Sequence, residues 1–316
     1  MGTMNPVLPL APGVDWFDLQ FLGEPGIIAT LLLHGPGGVA IVDPGPTTCL
    51  PRLEAALAQR GFGFPDVKAV LLTHIHLDHA AASGVLLDLA PEARLYVHER
   101  GAPHLVDPSK LIASARRLYL DDMDRLWGEM RPVPAARVHT FGEHETIRVV
   151  GHDIRVSWTP GHAWHHVSYL LVDSGIACVG DTAGICHPGG RVIVPPTPPP
   201  DIDLEAWRQS TDLILGWNPS QLFLTHFGPQ PAPRVHMQAF WAQMDNWSNK
   251  VRASLDWDVP SDQDRIERFL QLVTDDLGRL ATPAEAASYA RAARFDFSWT
   301  GLARYWRRKG SASARD

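Results

Sequence analysis

The sequence is poor in cysteine, with only three among 316 residues. Cys49, Cys178 and Cys186 show neither the number of a disulfide framework nor the spacing of a cysteine-based zinc site. Any metal bound by this chain must therefore be held by histidine and carboxylate side chains. The sequence also lacks a run of 18 apolar residues, and its first ten residues lack the basic and apolar segments of a signal peptide. We therefore expect a cytoplasmic protein that does not span a membrane.

Positive charge is also scarce, since the formal net charge is -7 at pH 7. Proteins that bind nucleic acid usually carry a basic surface to neutralise phosphates, so this class is disfavoured. Hydrophobic residues make up 45% and charged residues 20% of the chain, which is ordinary for a soluble globular protein. The expected partner is a small-molecule substrate, with neither nucleic acid nor a membrane. Whether the chain forms a homodimer is left open.

Short apolar runs alternate with helical patterns through the first two thirds of the chain. Residues 27–33 and 39–42 are joined by a Gly-Pro-Gly-Gly turn and predict a hairpin, while 50–60 predict a helix. The run 69–72 has no polar alternation, which is typical of a strand covered on both faces. Further strand patterns lie at 94–97, 146–150, 153–158, 167–172, 176–179 and 221–224. This interleaving predicts an α/β fold.

Two parts of the chain have a helical pattern that no strand pattern interrupts. Residues 103–135 predict a helical insertion between strands, and nearly everything beyond 235 predicts helix. We therefore divide the chain into a catalytic domain at 1–234, which includes the insertion, and a helical C-terminal region at 235–316 packed on it.

The segment from Thr73 to His79 contains three histidines and an aspartate within six residues, directly after the buried strand 69–72. Residues two apart in an extended backbone project to the same side, so His74 and His76 can bind one metal ion. Asp78 and His79 lie further along the turn and can face a second ion. Four buried polar groups without partners would each cost about 1 to 3 kcal/mol, so a purely structural role for this cluster is disfavoured.

Three more metal-binding side chains follow later strands. His162 comes after the strand pattern 153–158, Asp181 after 176–179, and His226 after 221–224. Ligand sites of α/β folds collect at the edge where such strands end. The sequence therefore predicts that these side chains complete the site begun at His74.

The order of these residues resembles the metallo-β-lactamase fold superfamily, whose hallmark is a His-x-His-x-Asp-His loop followed by a separate His, Asp and His. The resemblance spans residues 27–228 and implies an αβ/βα sandwich. It also implies two divalent metal ions, most commonly Zn²⁺, with Fe and Mn as alternatives. By this resemblance His74, His76 and His162 bind metal 1, Asp78, His79 and His226 bind metal 2, and Asp181 bridges them.

The stretch 159–169 is similar to the glyoxalase II-like and lactonase-like branches of that superfamily. This similarity implies that His166 packs beside the site rather than binding metal. Asp43 matches a family aspartate that orients the ligand loop, and such acceptors fix the tautomers of metal-binding histidines. The alternative role for Asp43 is that of a residue that only forms a turn.

The resemblance implies a hydrolase in which a hydroxide shared by the two ions attacks a carboxylic ester, thioester or lactone. Asp78 is the expected catalytic residue, which orients the nucleophile and passes a proton to the leaving group. The sequence lacks the tyrosine that family lactonases carry soon after the residue matching Asp181, and the C-terminal helices lack evident basic residues for glutathione. Three alternatives stay open: a mononuclear iron persulfide dioxygenase, a phosphodiesterase, and a metal-stabilised protein without turnover.

Four further residues are expected to line the substrate pocket, namely His187, Tyr119, Trp127 and Trp164. Aromatic residues at helical spacing more often belong to a core, and that alternative applies to the three aromatic residues. His187 lies shortly after Asp181 in the sequence, which favours a place near the metals.

Overall fold

A computed structural model of the chain describes residues 6–190 and 192–313. Residues 1–5, which belong to the stretch from which the absence of a signal peptide is predicted, and residues 314–316 of the predicted C-terminal region lie outside the described residues. Within the described part, no helix is both long and apolar enough to cross a bilayer.

Seven strands form the first sheet, in the order of the sequence. They are β1 (Leu8–Ala11), β2 (Val14–Asp18), β3 (Ala29–Gly35), β4 (Gly38–Val42), β5 (Val67–Leu71), β6 (Arg94–His98) and β7 (Val138–Phe141). Strands β1 to β4 pair antiparallel, and β4 to β7 pair parallel. The β3–β4 pair, in which Leu31 faces Val42, confirms the predicted hairpin.

Six strands form the second sheet, and a separate two-stranded hairpin lies beside it. In chain order they are β8 (His144–Val149), β9 (His152–Trp158), β10 (Val167–Leu171), β11 (Ile176–Cys178), the hairpin β12 (Ile185–Cys186) and β13 (Ile193–Val194), then β14 (Gln221–Leu224) and β15 (Gly228–Gln230). The two sheets pack face to face, because Leu31 and Leu71 of the first share one buried cluster with Val156 and Tyr169 of the second.

Helices cover the outer face of each sheet. They are α1 (Leu50–Gln59), α2 (Leu77–Ala80), α3 (Ser83–Leu89), α4 (Ala102–Val106), α5 (Ser109–Tyr119), α6 (Met123–Trp127), α7 (Leu204–Gly216), α8 (Pro233–Ser254), α9 (Asp262–Leu280), α10 (Pro283–Ala293) and α11 (Phe295–Ser313). Side chains from α1 to α6 share a buried cluster with the first sheet, and α7 to α11 share one with the second. This arrangement confirms the αβ/βα sandwich.

The helical insertion is present as α4, α5 and α6, which lie between β6 and β7. The helical C-terminal portion is present as α8 to α11, and Ser261 and Thr282 cap the N-termini of α9 and α10 with their side chains. Trp247 of α8 and Trp299 of α11 are buried in the cluster that also covers the second sheet. The domain boundary at residue 234 stays a prediction.

Candidate metal centre

The histidine cluster begins in the five-residue segment between the end of β5 at Leu71 and the start of α2 at Leu77. His76 precedes the first residue of this short helix with an extended backbone, at φ -60° and ψ 151°. The turn of helix that follows carries Asp78 and His79. His74 and His79 are buried, whereas the Asp78 side chain keeps 28% of its surface exposed. The centre therefore opens to solvent on the side of Asp78.

The first group of metal-binding atoms comes from His74, His76, His162 and Asp181, all within 4.8 Å of one another. Nδ1 of His76 lies 2.9 Å from Nε2 of His74 and 3.0 Å from Nε2 of His162. Nε2 of His162 lies 3.3 Å from Oδ2 of Asp181. Three ring nitrogens and a carboxylate oxygen thus converge on one point, as the ligands of a tetrahedral metal site do.

The second group comes from Asp78, His79 and His226. Nε2 of His226 lies 3.2 Å from Oδ2 of Asp78, and Nε2 of His79 lies 3.8 Å from the same oxygen. Oδ1 of Asp181 lies 3.2 Å from Nε2 of His79 and 3.6 Å from Nε2 of His226. One carboxylate therefore faces both groups, and the structure brings together all seven residues that the sequence singled out.

Two buried atoms in this centre have no hydrogen-bond partner among the described residues, namely Nε2 of His79 and Oδ1 of Asp181. Burying polar atoms without partners is costly. A cation between the nitrogen lone pair and the carboxylate oxygen would satisfy both atoms. The residues present therefore fit a bound metal ion.

Hydrogen bonds donated by Nδ1–H fix the orientation of three ligand histidine rings. The Nδ1–H of His162 donates to the carbonyl oxygen of Pro196 at 2.9 Å, and that of His226 donates to the carbonyl oxygen of Ile27 at 2.6 Å. The Nδ1–H of His79 donates to the Asp43 carboxylate at 2.8 Å. A proton on Nδ1 leaves the Nε2 lone pair free to face the centre.

His74 is oriented by a hydroxyl group. The Thr73 hydroxyl donates to Oδ2 of Asp43 at 2.7 Å, so its oxygen accepts the Nδ1–H of His74 at 3.1 Å. Nε2 of His74 is thereby left for the metal. His76 differs, since its Nδ1 faces the neighbouring ligand nitrogens.

Asp43 is the hub of this hydrogen-bond network. Its backbone has a positive φ of 52°, and the residue is 1% exposed. Oδ1 accepts the backbone N–H of Thr73 at 2.8 Å, and Oδ2 accepts the Thr225 hydroxyl at 2.7 Å. Together with the bonds from His79 and the Thr73 hydroxyl, these contacts tie the ends of β5 and β14 to one carboxylate.

His166 lies behind the first group, with its ring 5.1 Å from that of His74. Its Nε2 accepts the backbone N–H of Asp181 at 3.3 Å, so Nδ1 carries the proton and donates to the Thr159 hydroxyl at 3.0 Å. Both ring nitrogens are used in these contacts. His166 therefore supports the backbone of Asp181, as a residue beside the site is expected to do.

Without metal, burial and neighbouring charges shift the pKa values of the groups in the centre in opposite directions. Burial lowers the pKa of His74, and burial together with the neighbouring His162 lowers that of His76 to about 3. Although burial opposes it, Asp181 raises the pKa of His79 well above its usual range. Burial would raise the pKa of Asp78, but His79 and His226 hold it at about 2.

The stability of the metal-free protein is expected to peak near pH 6.5, the usual pKa of histidine. His74, His76, His162, His165 and His166 have lowered pKa values, so their contribution is lost as the pH falls below that value. His79 and His226 have raised values, so theirs is lost as the pH rises above it. His98 and His236, outside the centre, also have pKa values lowered by burial. Because these seven groups act on the acid side and two on the alkaline side, the acid limb should be steeper. Urea unfolding of chelator-treated protein between pH 5 and 9 measures this, and a free energy of unfolding independent of pH would contradict it.

Two of the expected pocket residues, Tyr119 and Trp127, belong to the helical insertion and pack against each other. Tyr119 is half-buried, and burial followed by the nearby Asp78 carboxylate raises the pKa of its phenol. Trp127 is buried in the core, its ring 5.1 Å from that of Tyr119 and stacked 5.6 Å from Phe21. Trp127 is therefore a core residue, and the contact of Tyr119 with a substrate stays a prediction.

The other two expected pocket residues, Trp164 and His187, belong to other segments of the chain. Trp164 is half-buried, packs 6.0 Å from Trp158 and precedes His165, whose ring lies 5.7 Å from that of His76. The backbone N–H of His187 donates to the Tyr289 hydroxyl at 3.0 Å, which connects His187 to the C-terminal helices. Their contact with a substrate stays a prediction.

Several groups that position the ligands are not predicted from the sequence. Thr73 and Thr225 each precede a ligand histidine at the end of an apolar strand, and this repeated Leu-Thr-His pattern was a usable signal. The acceptors at Ile27 and Pro196 are backbone carbonyl groups, for which the side chains give no signal.

Known proteins that are similar to this chain indicate its family. Residues 23–226 match the sequence profile of the metallo-beta-lactamase superfamily. A metallo-beta-lactamase fold-containing protein of Sulfurisphaera tokodaii is 30% identical over 172 residues, covering 53% of this chain and 63% of that protein. A hydroxyacylglutathione hydrolase of Acidiphilium cryptum is 34% identical over 154 residues, covering 49% of this chain and 48% of that protein. The match thus spans roughly half to two thirds of these relatives' lengths.

A solved structure agrees over nearly the whole chain. A metallo-beta-lactamase family protein from Thermus thermophilus superimposes with a TM-score of 0.69 at 24% identity, covering 96% of this chain and 95% of that one. This agreement in fold extends past residue 226 into the C-terminal helices. The structural agreement concerns the fold, and the profile match over residues 23–226, more than half of the chain, shows that the chain belongs to the metallo-beta-lactamase superfamily.

Proposed function

We propose that this protein is a dinuclear metal-dependent hydrolase that cleaves a carboxylic ester, thioester or lactone bond of a small molecule. The observation that carries the proposal is the Asp181 carboxylate, which faces two adjacent groups of metal-binding atoms. A carboxylate in that position can bind one metal through each oxygen. The remaining ligands divide into two sets of three, as the sequence pattern implies.

Two divalent ions would be held by the first group and the second group, with Asp181 shared between them. The set of five histidines and two aspartates, without cysteine, suits Zn²⁺, and also Fe or Mn. When bound, such ions lower the pKa of water to roughly 7 and so supply hydroxide at neutral pH.

Asp78 is the residue best placed to handle the proton of the attacking water. Its carboxylate is partly exposed, and a pKa of about 2 in the metal-free centre keeps it ionised at neutral pH. An ionised carboxylate accepts a hydrogen bond from water and aligns it for attack. The same group then passes the proton to the departing alkoxide or thiolate.

The names of the relatives favour acyl substrates. Hydroxyacylglutathione hydrolases, by their name, hydrolyse a hydroxyacyl derivative of glutathione, and one of them is 34% identical to this chain over 154 residues. Hydrolysis of esters, thioesters and lactones shares one step, the addition of hydroxide to an acyl carbon. We therefore place this protein's substrate among these three bond types.

A substrate panel tests the proposal directly. Protein loaded with Zn²⁺, Fe²⁺ or Mn²⁺ is assayed on nitrophenyl acetate and butyrate, an acylglutathione, a γ-lactone and bis-nitrophenyl phosphate. The proposal expects hydrolysis of at least one acyl substrate well above that of the phosphodiester. Oxygen consumption with glutathione persulfide as the substrate is measured in a separate assay.

Each alternative has its own outcome in this panel. Faster cleavage of the phosphodiester than of every acyl compound would assign a phosphodiesterase instead. One iron per chain with oxygen consumption on the persulfide would assign a dioxygenase. Inert behaviour of fully loaded protein on the whole panel would leave a metal-stabilised protein without turnover.

A further inference from the structure

An open cleft lies where the edge strand β8 and its neighbour β9 meet the C-terminal end of α7. Its volume is about 470 Å³, and sites for small molecules occupy about 300 to 1,000 Å³. One wall comes from the two strands, and the other comes from Leu213 of α7 and from Trp217, which follows the last residue of that helix. None of the seven metal-binding residues lines this cleft.

The register of the two strands brings four polar side chains to the cleft. His144 pairs with Ser157, and Thr146 pairs with Arg155. Successive side chains of a strand point to opposite faces, and Val156 is buried between the two sheets, so these four side chains lie on the outer face that α7 covers. Nδ1 of His144 lies 3.0 Å from Oγ of Ser157, which fixes the position of this ring at one end of the cleft.

Two hydrogen-bond donors of the cleft have no partner in the fold. Within the described part of the chain, the guanidinium of Arg155 makes no ion pair and no hydrogen bond, because the residue opposite it is the neutral Thr146. Arg148 on the same strand pair is by contrast bound to Asp153 at 2.7 Å. Among the same described residues, the indole N–H of the half-buried Trp217 also donates no hydrogen bond. A free cation and a free N–H group therefore border one cleft.

Glu145 is the single acidic residue among those that line the cleft. It pairs with Val156, so its side chain alternates with those of His144 and Thr146. Its Oε1 lies 2.9 Å from Nε2 of His139 on β7 of the first sheet. This carboxylate is therefore engaged by His139 and does not neutralise the guanidinium of Arg155.

We propose that this cleft is a binding site for a small carboxylate that carries a flat apolar group, separate from the metal centre. The planar guanidinium of Arg155 presents two parallel N–H groups, which match the two oxygens of a carboxylate. Leu213 and the indole ring of Trp217 supply apolar surface for the flat group on the opposite wall. This site goes beyond the proposed hydrolysis, since it uses no metal-binding residue.

Cinnamate is the probe for this site, because it joins a carboxylate to a flat ring. Its binding is measured by calorimetry on zinc-loaded protein and on chelator-treated protein, since a carboxylate can also bind to a metal ion. The proposed site predicts one bound cinnamate per chain with a Kd below about 1 mM in both forms of the protein. Cinnamamide, which lacks the charge, and acetate, which lacks the ring, should each bind at least about tenfold more weakly.

Two variants with the same chemical change locate the bound cinnamate. Arg155→Gln removes the unpaired cation of the cleft, and Arg148→Gln removes an exposed arginine of the same strand pair that does not line it. Arg155→Gln is expected to raise the Kd of cinnamate by about tenfold or more, whereas Arg148→Gln should leave it unchanged. Both side chains are exposed, so both variants should keep the thermal unfolding midpoint of the unaltered protein.

Three results would overturn the proposal. Cinnamate that binds only when zinc is present would be bound at the metal centre instead. Equal binding of cinnamamide, or an unaltered Kd in Arg155→Gln, would remove the carboxylate from the cleft. No saturable binding of cinnamate by the unaltered protein would remove the site altogether. Hydrolysis is not measured in this experiment, so failure of the proposed function would leave its result unchanged.

Discussion

Replacing Asp181 by alanine is expected to abolish hydrolysis and to release metal from both groups of ligands. Its two oxygens lie 3.2 Å from Nε2 of His79 and 3.3 Å from Nε2 of His162, one in each group. Loss of an outer hydrogen-bonding partner already costs roughly 10- to 100-fold in metal affinity. Loss of a shared ligand should therefore cost more than this for each ion. Elemental analysis after dialysis, together with the rate on the best acyl substrate, measures both effects.

Asp245→Ala is the matched control for this substitution. Asp245 pairs with Arg208 on the surface, where both side chains are more than half exposed, and exposed pairs contribute about 0 to 1 kcal/mol. The control should therefore keep its metal and its rate. An Asp181→Ala protein that retained two ions per chain and full activity would remove Asp181 from the centre.

Replacing Asp43 by alanine is expected to lower the free energy of unfolding by about 3 to 5 kcal/mol, the cost of removing one partner from a buried charged network. Four donors lose their acceptor: the backbone N–H and hydroxyl of Thr73, the Thr225 hydroxyl and the Nδ1–H of His79. The rings of His74 and His79 lose their orientation with them. Urea unfolding at pH 7 measures the loss, and metal affinity should fall in parallel.

Asp43→Asn separates the effect of the lost hydrogen bonds from the backbone strain that alanine would add. The residue has a φ of 52°, a conformation that asparagine adopts readily, whereas alanine does so at a cost. Asparagine cannot accept at both side-chain positions, so we expect a loss of about 1.5 to 3 kcal/mol from the missing charged hydrogen bonds. If Asp43→Asn unfolded at the same urea concentration as the unaltered protein, Asp43 would be only a turn residue.

The seven metal-binding residues could be predicted from the sequence because each follows a strand with a strong apolar signal. Val67–Leu71 and Gln221–Leu224 are buried along most of their length, so their ends were well marked. A metal site also requires particular side chains, and histidine and aspartate are common ligands of Zn²⁺ in proteins. The local sequence thus contained both the position and the chemistry.

Most of the strands that the sequence did not reveal are short or lie at sheet edges, although β2 (Val14–Asp18) is a five-residue strand between β1 and β3. Leu8–Ala11 is an exposed edge strand, and Gly228–Gln230 is a three-residue strand that begins with glycine. The hairpin of Ile185–Cys186 with Ile193–Val194 has two residues in each strand. Such segments form because a neighbouring strand offers hydrogen bonds, which is a tertiary cause that local patterns do not carry.

The network behind the ligands was only partly visible for a similar reason. Asp43 was marked by resemblance, but its partners Thr73 and Thr225 lie in distant parts of the sequence and meet only in the fold. The carbonyl groups of Ile27 and Pro196 accept histidine N–H groups because loops pass close to the centre. Tyr119 is marked in the sequence only by its residue type, while its packing against Trp127 and Phe297 depends on how the insertion meets the C-terminal helices.

The most direct measurement is the number of metal ions per chain that restores hydrolysis. Chelator-treated protein is titrated with Zn²⁺, and bound metal and the rate on the best acyl substrate are recorded at each step. The proposed centre predicts saturation of the rate at two bound ions per chain, with both ions lost in Asp181→Ala. Full activity with a single bound ion, or hydrolysis that persists with no bound metal, would contradict the dinuclear mechanism.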